Sequence, residues 1–301
     1  KRETLPTCRR ISSILFEKKE FYMNLVSTEW LDQNLNKVKI FDASWHMPNS
    51  NRNAKKEYEE KHIKGAIFWD VDEHSDKDSP YPHMMSNSDY WTRMLWSFAI
   101  KNEDHVVVYD HSDTYSSCRL WFALKYFGHK KVSVLDGGMK KWLTENRSTD
   151  NKINIDLGKF SNIDKLNPGN KYEVKEKTDL IKNKKQIDEN LKKNLFQTVD
   201  ARSRERFEGK IDEPRSGLRR GCIVGSKNLP FKDCINTETN TFKSKDELSE
   251  IFIKNNIDIT KPIVFTCGSG MTACVLGMAY SIISGKSAVV YDGSWSEYGK
   301  V

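Results

Sequence analysis

The chain repeats itself. "KIFDAS" at 39–44 aligns with "QTVDAR" at 197–202 and sets Asp42 against Asp200, an offset of 158 residues. "HIKGAIFWDV" aligns with "CIVGSKNLPF", Gly65 on Gly225, at an offset of 160. "VVVYD" ends at Asp110 where "IVFTC" ends at Cys267, an offset of 157, and "VSVLDGGMKKW" aligns with "AVVYDGSWSEY", Gly137 on Gly293, at 156. Four matches in one order at a nearly constant shift make a tandem duplication, so the chain must fold as one unit built twice.

Within each half, short β-branched runs alternate with helical stretches. The runs are "VKIFDA", "HVVVYD" and "VSVL" in the first half and "FQTVDA", "PIVF" and "SAVVYD" in the second. Between them lie "DYWTRMLWSFAI", "SCRLWFALKYFG", "KDELSEIFIKNN" and "ACVLGMAYSIIS", each long enough for a helix. Strands that are apolar along their whole length and separated by helices predict an α/β fold, a parallel sheet covered on both faces in each half. Residues 148–170 are polar and rich in Asn, Asp and Lys, with "NPGN" as a turn, which marks a linker. The expected organisation is an N-terminal extension over 1–22, a first domain over 23–147, the linker, and a second domain over 171–301. The extension is basic and contains serines but carries Glu3, Glu17 and Glu20; it reads as a loosely packed segment, with a targeting remnant as the alternative.

Composition narrows the function classes. No apolar run approaches the ~18 to 20 residues that span a bilayer, so no membrane partner is expected. The net charge of +7, from 49 basic and 42 acidic residues, is mild for 301 residues. No basic block interleaved with aromatics stands out, which argues against nucleic acid and leaves small anionic substrates. The six cysteines, at 8, 118, 222, 234, 267 and 274, form no CxxC pair, a pattern that suits a reducing compartment. With no P-loop, GxGxxG or paired His and Cys at ligand spacing, neither a metal nor a cofactor is expected.

In open parallel sheets function collects where strands end and loops feed into helices. Cys267 sits at such a place, between "PIVF" and the helical run that starts near Ala273, in the loop "CGSGM". Its counterpart in the first half is Asp110, which has no thiol chemistry, so the second half reads as catalytic and the first as supporting. Glycines let successive N–H groups turn inward as an anion-holding nest, and the helix N-terminus adds partial positive charge. Both favour a thiolate, the nucleophilic form. A buried structural cysteine before a glycine turn is the alternative.

"VFTCGSGMTAC" resembles the active-site loop of the tandem-domain rhodanese sulfurtransferases, and among them the mercaptopyruvate sulfurtransferases. The resemblance runs from about residue 24 to 298 through "DASWHMP", "EYEEKHIKGAIFWDVDEHSDKDSPYPHM", "FGHKKVSVLDGGMKKW", "VDARSRERFEG", "EPRSG" and "YDGSWSEY". It implies two rhodanese-like domains with the second catalytic. It also implies a two-step transfer, in which Cys267 takes sulfur from 3-mercaptopyruvate as a persulfide, releases pyruvate, and yields the sulfur to thioredoxin, glutathione or cyanide, with hydrogen sulfide as a further product. Relatives specific for thiosulfate carry basic residues after the cysteine; here Gly268 and Ser269 are neutral, which favours mercaptopyruvate. A monomer or weak dimer in the cytoplasm, the mitochondrion or both is the matching expectation.

The same resemblance assigns further residues. The substrate carboxylate falls to Arg206 and Arg215, since a guanidinium pairs bidentately with a carboxylate. The competing reading is local pairing with Glu205, Glu208 or Glu213, to which Arg202 and Arg204 are also assigned. Gly268, Gly270, Met271 and Thr272 line the substrate nest, with a helix-capping role as the alternative for Thr272. Ser269 donates to the substrate carbonyl or passes a proton, or else caps the helix. His62 is taken as the first-domain histidine of that relay. Two departures stand out. "NSNRNAKKEY" offers Asn53 where an acidic relay residue is sought, and Cys222 replaces a histidine. Cys274, two helical turns past Cys267, is expected in the core. A cysteine phosphatase is excluded because its C-x5-R loop would need Arg where Ala273 stands; Cys267 with its glycines and both arginines argues against a non-catalytic scaffold, and the serious alternative within the enzyme class is a thiosulfate:cyanide sulfurtransferase.

Overall fold

The computed structural model describes residues 23–153 and 171–301. The extension over 1–22 and the linker beyond residue 153 lie outside the described residues. The strands are β1 (Leu25–Val26), β2 (Lys39–Asp42), β3 (His62–Ile63), β4 (Ala66–Phe68), β5 (Val106–Tyr109), β6 (Val132–Leu135) and β7 (Thr149–Asp150) in the first half. The second half has β8 (Ile181–Lys182), β9 (Gln197–Asp200), β10 (Lys227–Asn228), β11 (Ile263–Thr266) and β12 (Val290–Tyr291).

Two five-stranded sheets form, in the orders β1-β6-β5-β2-β4 and β10-β9-β11-β12-β8. Every pairing within them is parallel. Written from the other edge, the second order repeats the first strand for strand, which is the duplication seen in space. The central strands follow from their sequences: all four residues of "VVVY" in β5 and of "IVFT" in β11 are buried, as a sheet covered on both faces demands. Alternate residues face different cores. Val106 and Val108 join one cluster while Val107 and Tyr109 join another.

The larger cluster belongs to both halves. It runs from Phe41, Val108 and Leu120 to Val199, Phe265 and Leu276 without a break. Helix Ser117–Tyr126 packs on helix Ala273–Ser284 at its centre, and ten of the twelve residues of the latter are buried. Within the second half, Gly277 lets that helix lie close to the segment before Val290, because a Cβ there would come within 2.7 Å of the Ala288 side chain. The halves are therefore joined by core, not merely tethered. Residues 171–177, expected in the second domain, bond to the first: Lys175 and Lys177 donate backbone N–H to the carbonyls of Phe127 and Tyr126, and Tyr172 meets His129 at 2.7 Å. The first residues of the expected linker also pair, β7 running antiparallel to β3.

Candidate active site

Cys267 leaves the end of β11 at 1% exposure, at the carboxyl edge of the sheet where the two halves meet. The loop behind it is held rigidly. Ser294 Oγ accepts the N–H groups of Cys267 (3.2 Å) and Gly270 (3.1 Å). The carbonyls of Cys267 and Gly268 accept N–H from Trp295 (2.9 Å) and Ser296 (2.8 Å), and Cys274 Sγ donates to Gly270 O at 3.2 Å. Gly270 is left-handed, φ +75°, and a Cβ there would stand 2.9 Å from the carbonyl of Asp292, so this position admits glycine for shape. Its N–H is already committed to Ser294. The N–H groups of Gly268, Ser269, Met271, Thr272 and Ala273 find no acceptor among the described residues.

The first half shows what such a loop does with an anion. There Asp110 Oδ1 accepts the N–H of Ser112 at 2.9 Å and Oδ2 accepts that of Ser117 at 3.0 Å. Ser112 aligns with Ser269 at the same 157-residue offset that relates Asp110 to Cys267. A carboxylate thus satisfies the loop of the first half, and the corresponding N–H of Ser269 stays available where a thiol replaces it.

Ser269 is 4% exposed and its Oγ lies 2.9 Å from Nδ1 of His83. His83 Nε2 in turn lies 3.1 Å from Asp72 Oδ1, and Asp72 Oδ2 accepts the indole N–H of Trp45 at 2.9 Å. The hydrogen bond from His83 holds the Asp72 carboxyl below its usual range, so it is ionised and accepts only. Burial pushes His83 below the ordinary imidazole range against the pull of Asp72. The neutral ring therefore carries its proton on Nε2 toward Asp72 and offers the Nδ1 lone pair to the Ser269 hydroxyl. The Asp72 side chain is 65% exposed, so this chain of groups runs from beside the buried cysteine to solvent.

His62 is not part of it. Its Nδ1 bonds the Tyr58 carbonyl at 2.7 Å, its ring stacks on Tyr58, and β3 ties it to the Asp150 side of the first half. Its fit to a histidine followed by "IKGA" was a fit to a strand, not to the loop. Asn53 caps helix Ala54–Glu60 through its side chain, and the acid sought there is supplied by Asp72 instead. His83 carries the signal that sequence reading passed over: a histidine after "SPYP", with φ +63°, a backbone setting few non-glycine residues adopt.

The two arginines have different settings. Arg206 Nη2 binds Glu213 at 2.5 Å and overlies Gly268, where a Cβ would meet it at 3.0 Å. Glu213 is fixed by the buried Arg202, which also grips Asp200, so Arg206 is largely neutralised. Arg215 makes no hydrogen bond or ion pair among the described residues. With Asp72, Tyr81, Pro82 and His83 it lines a cavity of about 400 Å³, and it lies within electrostatic reach of Cys267. Arg204 pairs with Asp233 at the surface. Met271 is buried against the core, and Thr272 begins the helix without a side-chain cap bond. Cys274 is fully buried and its thiol is pushed up to about 12 by burial, so it braces the loop as a neutral group. Cys222 is half-buried beside Arg202, with burial raising its thiol too.

A family model described as rhodanese-like domain matches the chain twice, over residues 27–145 and 183–300. The 3-mercaptopyruvate sulfurtransferase of Mus musculus is 40% identical over 291 residues, 93% of either chain. A protein of Arabidopsis thaliana named thiosulfate/3-mercaptopyruvate sulfurtransferase 1, mitochondrial, is 36% identical over 286 residues, 91% of this chain and 75% of that one. Among solved structures, SseA from Escherichia coli, described as a 3-mercaptopyruvate sulfotransferase, superposes with a TM-score of 0.78 at 29% identity, covering 91% of this chain and 99% of that one.

Proposed function

The chain belongs to the rhodanese-like family, and from that premise we propose that it is a sulfurtransferase that takes sulfur from 3-mercaptopyruvate onto Cys267 and passes it to a thiol. The observation that carries the choice of donor is the Ser269–His83–Asp72 chain beside the cysteine. Sulfite leaves thiosulfate as a stable anion and needs no proton. Pyruvate leaves mercaptopyruvate as an enolate and needs one.

The thiolate of Cys267 attacks the substrate sulfur. The Sγ–S bond forms as the C–S bond of the substrate breaks, and its electron pair stays on carbon as the enolate. The proton of the substrate thiol, now on the persulfide, is the one the enolate requires, so the relay moves it and none is consumed. The open N–H groups of the loop hold the persulfide anion, and Arg215 takes the substrate carboxylate with Arg206 behind it. Thioredoxin or glutathione then attacks the outer sulfur, Cys267 leaves as thiolate, and a second thiol frees hydrogen sulfide from the carrier persulfide. A monomer or weak dimer in the cytoplasm or mitochondrion suits this chemistry.

The test compares pyruvate release from 3-mercaptopyruvate with a dithiol against thiocyanate formation from thiosulfate and cyanide, in the wild type and Cys267→Ser. Pyruvate release should be the faster and should vanish in the variant. Faster thiosulfate turnover would reverse the choice of donor, and no turnover of either would leave a scaffold.

A further inference from the structure

The halves touch through a matched pair of contacts. Asp292 Oδ2 accepts the N–H of Met85 at 2.9 Å, and its counterpart Asp136 accepts that of Phe242 at 2.8 Å. Met85 and Phe242 stand 157 residues apart, so the interface carries the duplication as well. The match breaks at Arg119. This side chain, on helix Ser117–Tyr126 of the first half, is 1% exposed. Its Nη2 binds Asp292 Oδ1 at 2.7 Å and also donates to the carbonyl of His83, while Nη1 reaches the carbonyl of Gly270 at 3.4 Å. The aligned position of the second half is Leu276, and Asp136 makes no ion pair among the described residues.

We propose that Arg119 is a positioning residue for sulfur transfer, a clamp that grips the histidine segment of one half and the cysteine loop of the other and so sets the Ser269–His83 contact. The inference rests on the sulfurtransferase reading for its catalytic consequence. Its physical basis is geometric: a guanidinium presents five donors in a fixed fork, and here the fork meets two backbone carbonyls and a carboxylate that belong to three separate segments. A buried cation that served packing alone would need only its counter-ion. Arg119 also acts on the relay by charge. The groups facing His83 are Asp72, which favours its protonation, the cations Arg119 and Arg215, which oppose it, the Ser269 hydroxyl and the edge of the Trp45 ring.

Arg119→Lys keeps the charge and loses the fork, and Arg119→Met removes both. If Arg119→Met fails to give a wild-type-like thermal transition, Arg119→Met/Asp292→Asn, which leaves no unpaired buried charge, replaces it. The first readout is the NMR titration of the His83 ring, assigned by its loss in His83→Gln, which needs no substrate. The second is pyruvate release from 3-mercaptopyruvate, and the third is alkylation of Cys267 by iodoacetamide. The methionine variant should raise the His83 midpoint by about 1 pH unit. The lysine variant should leave the midpoint in place and slow pyruvate release about tenfold or more, with alkylation at the wild-type rate. An unmoved midpoint in the methionine variant, an unchanged turnover in the lysine variant, or alkylation lost in step with turnover would each overturn the clamp. If the wild type releases no pyruvate, the mercaptopyruvate reading falls by itself, and the titration and alkylation still decide whether Arg119 sets the histidine.

Discussion

Replacing His83 with glutamine removes the base from a chain whose two contacts measure 2.9 and 3.1 Å, both short enough for proton transfer. General acid–base catalysis of this kind contributes about 10²- to 10⁴-fold, which is about 3–5 kcal/mol of transition-state stabilisation. On mercaptopyruvate kcat/KM should fall by that factor. On thiosulfate, whose leaving group needs no proton, it should stay within about threefold, because neither Cys267 nor the N–H groups around it depend on the imidazole. His62→Gln serves as the control: among the described residues the His62 ring hydrogen-bonds only the Tyr58 carbonyl, so the variant loses about 1 kcal/mol of stability and little turnover on either donor. The pH profile gives a second readout. The active ring is neutral and burial lowers its pKa, so the acid limb of kcat/KM should lie below the ordinary imidazole range. Asp72→Asn removes the partner that favours the cation, which moves that limb lower still while slowing the reaction. Steady-state kinetics with both donors settles the matter. Equal losses on the two donors in His83→Gln, or a selective loss of mercaptopyruvate turnover in His62→Gln, would refute the relay.

Arg215→Met should raise KM for mercaptopyruvate about 10- to 100-fold, the loss of a charge-assisted bond, and leave the thermal transition nearly unmoved because Arg215 has no ionic partner among the described residues. Burial raises the Asp42 carboxyl to about 6, so between about pH 4 and 6 the folded chain holds a proton that the unfolded chain has released, and stability falls as pH rises through that window. Asp42→Asn should remove the fall, a gain on the order of 2–3 kcal/mol at pH 7 in urea unfolding, and a retained pH slope would contradict it. Cys267→Asp installs the residue of the first half; it should abolish transfer yet unfold at higher urea than Cys267→Ala, by about 1–2 kcal/mol, as the carboxylate takes the open N–H groups. A variant less stable than the alanine would mean those groups do not face position 267.

The duplication was legible because strand ends tolerate few residue types. Asp42 and Asp200 each accept the N–H two residues on, a local geometry that preserves the pair in both copies. The two-residue edge strands β1, β8 and β10 were invisible, since two residues carry no period. The proposed nucleophile and its glycines could be read from one contiguous stretch. The relay could not, because Ser269 and His83 lie 186 residues apart and meet only through the packing of two helices. The resemblance pointed to His62 instead, a residue whose ring is occupied by the Tyr58 carbonyl and whose strand pairs with Asp150. Arg119 was hidden for a related reason: within "SCRLWFALKYF" a single arginine reads as the polar edge of a packing helix, and only the assembled interface shows it fully enclosed.

Comparison of the two copies isolates what the chemistry requires. Both keep a parallel sheet, a loop at the carboxyl end of its middle strand, and a helix that begins just beyond. In the first half the loop is closed on itself by Asp110, and Ser112 spends its hydroxyl on that carboxylate at 2.8 Å. In the second half Cys267 leaves the loop open, and the hydroxyl of Ser269 turns to a histidine of the other half. The first copy has no thiol at this position but brings His83, Asp72 and Arg119 to the loop of the second, and the contacts of His83 and Arg119 with that half exist only where the halves are docked. A shared apolar core that includes both Val108 and Phe265 holds the halves together. On the proposed mechanism, transfer at Cys267 depends on both copies, which would be a physical reason for a duplicate without the thiol to be retained.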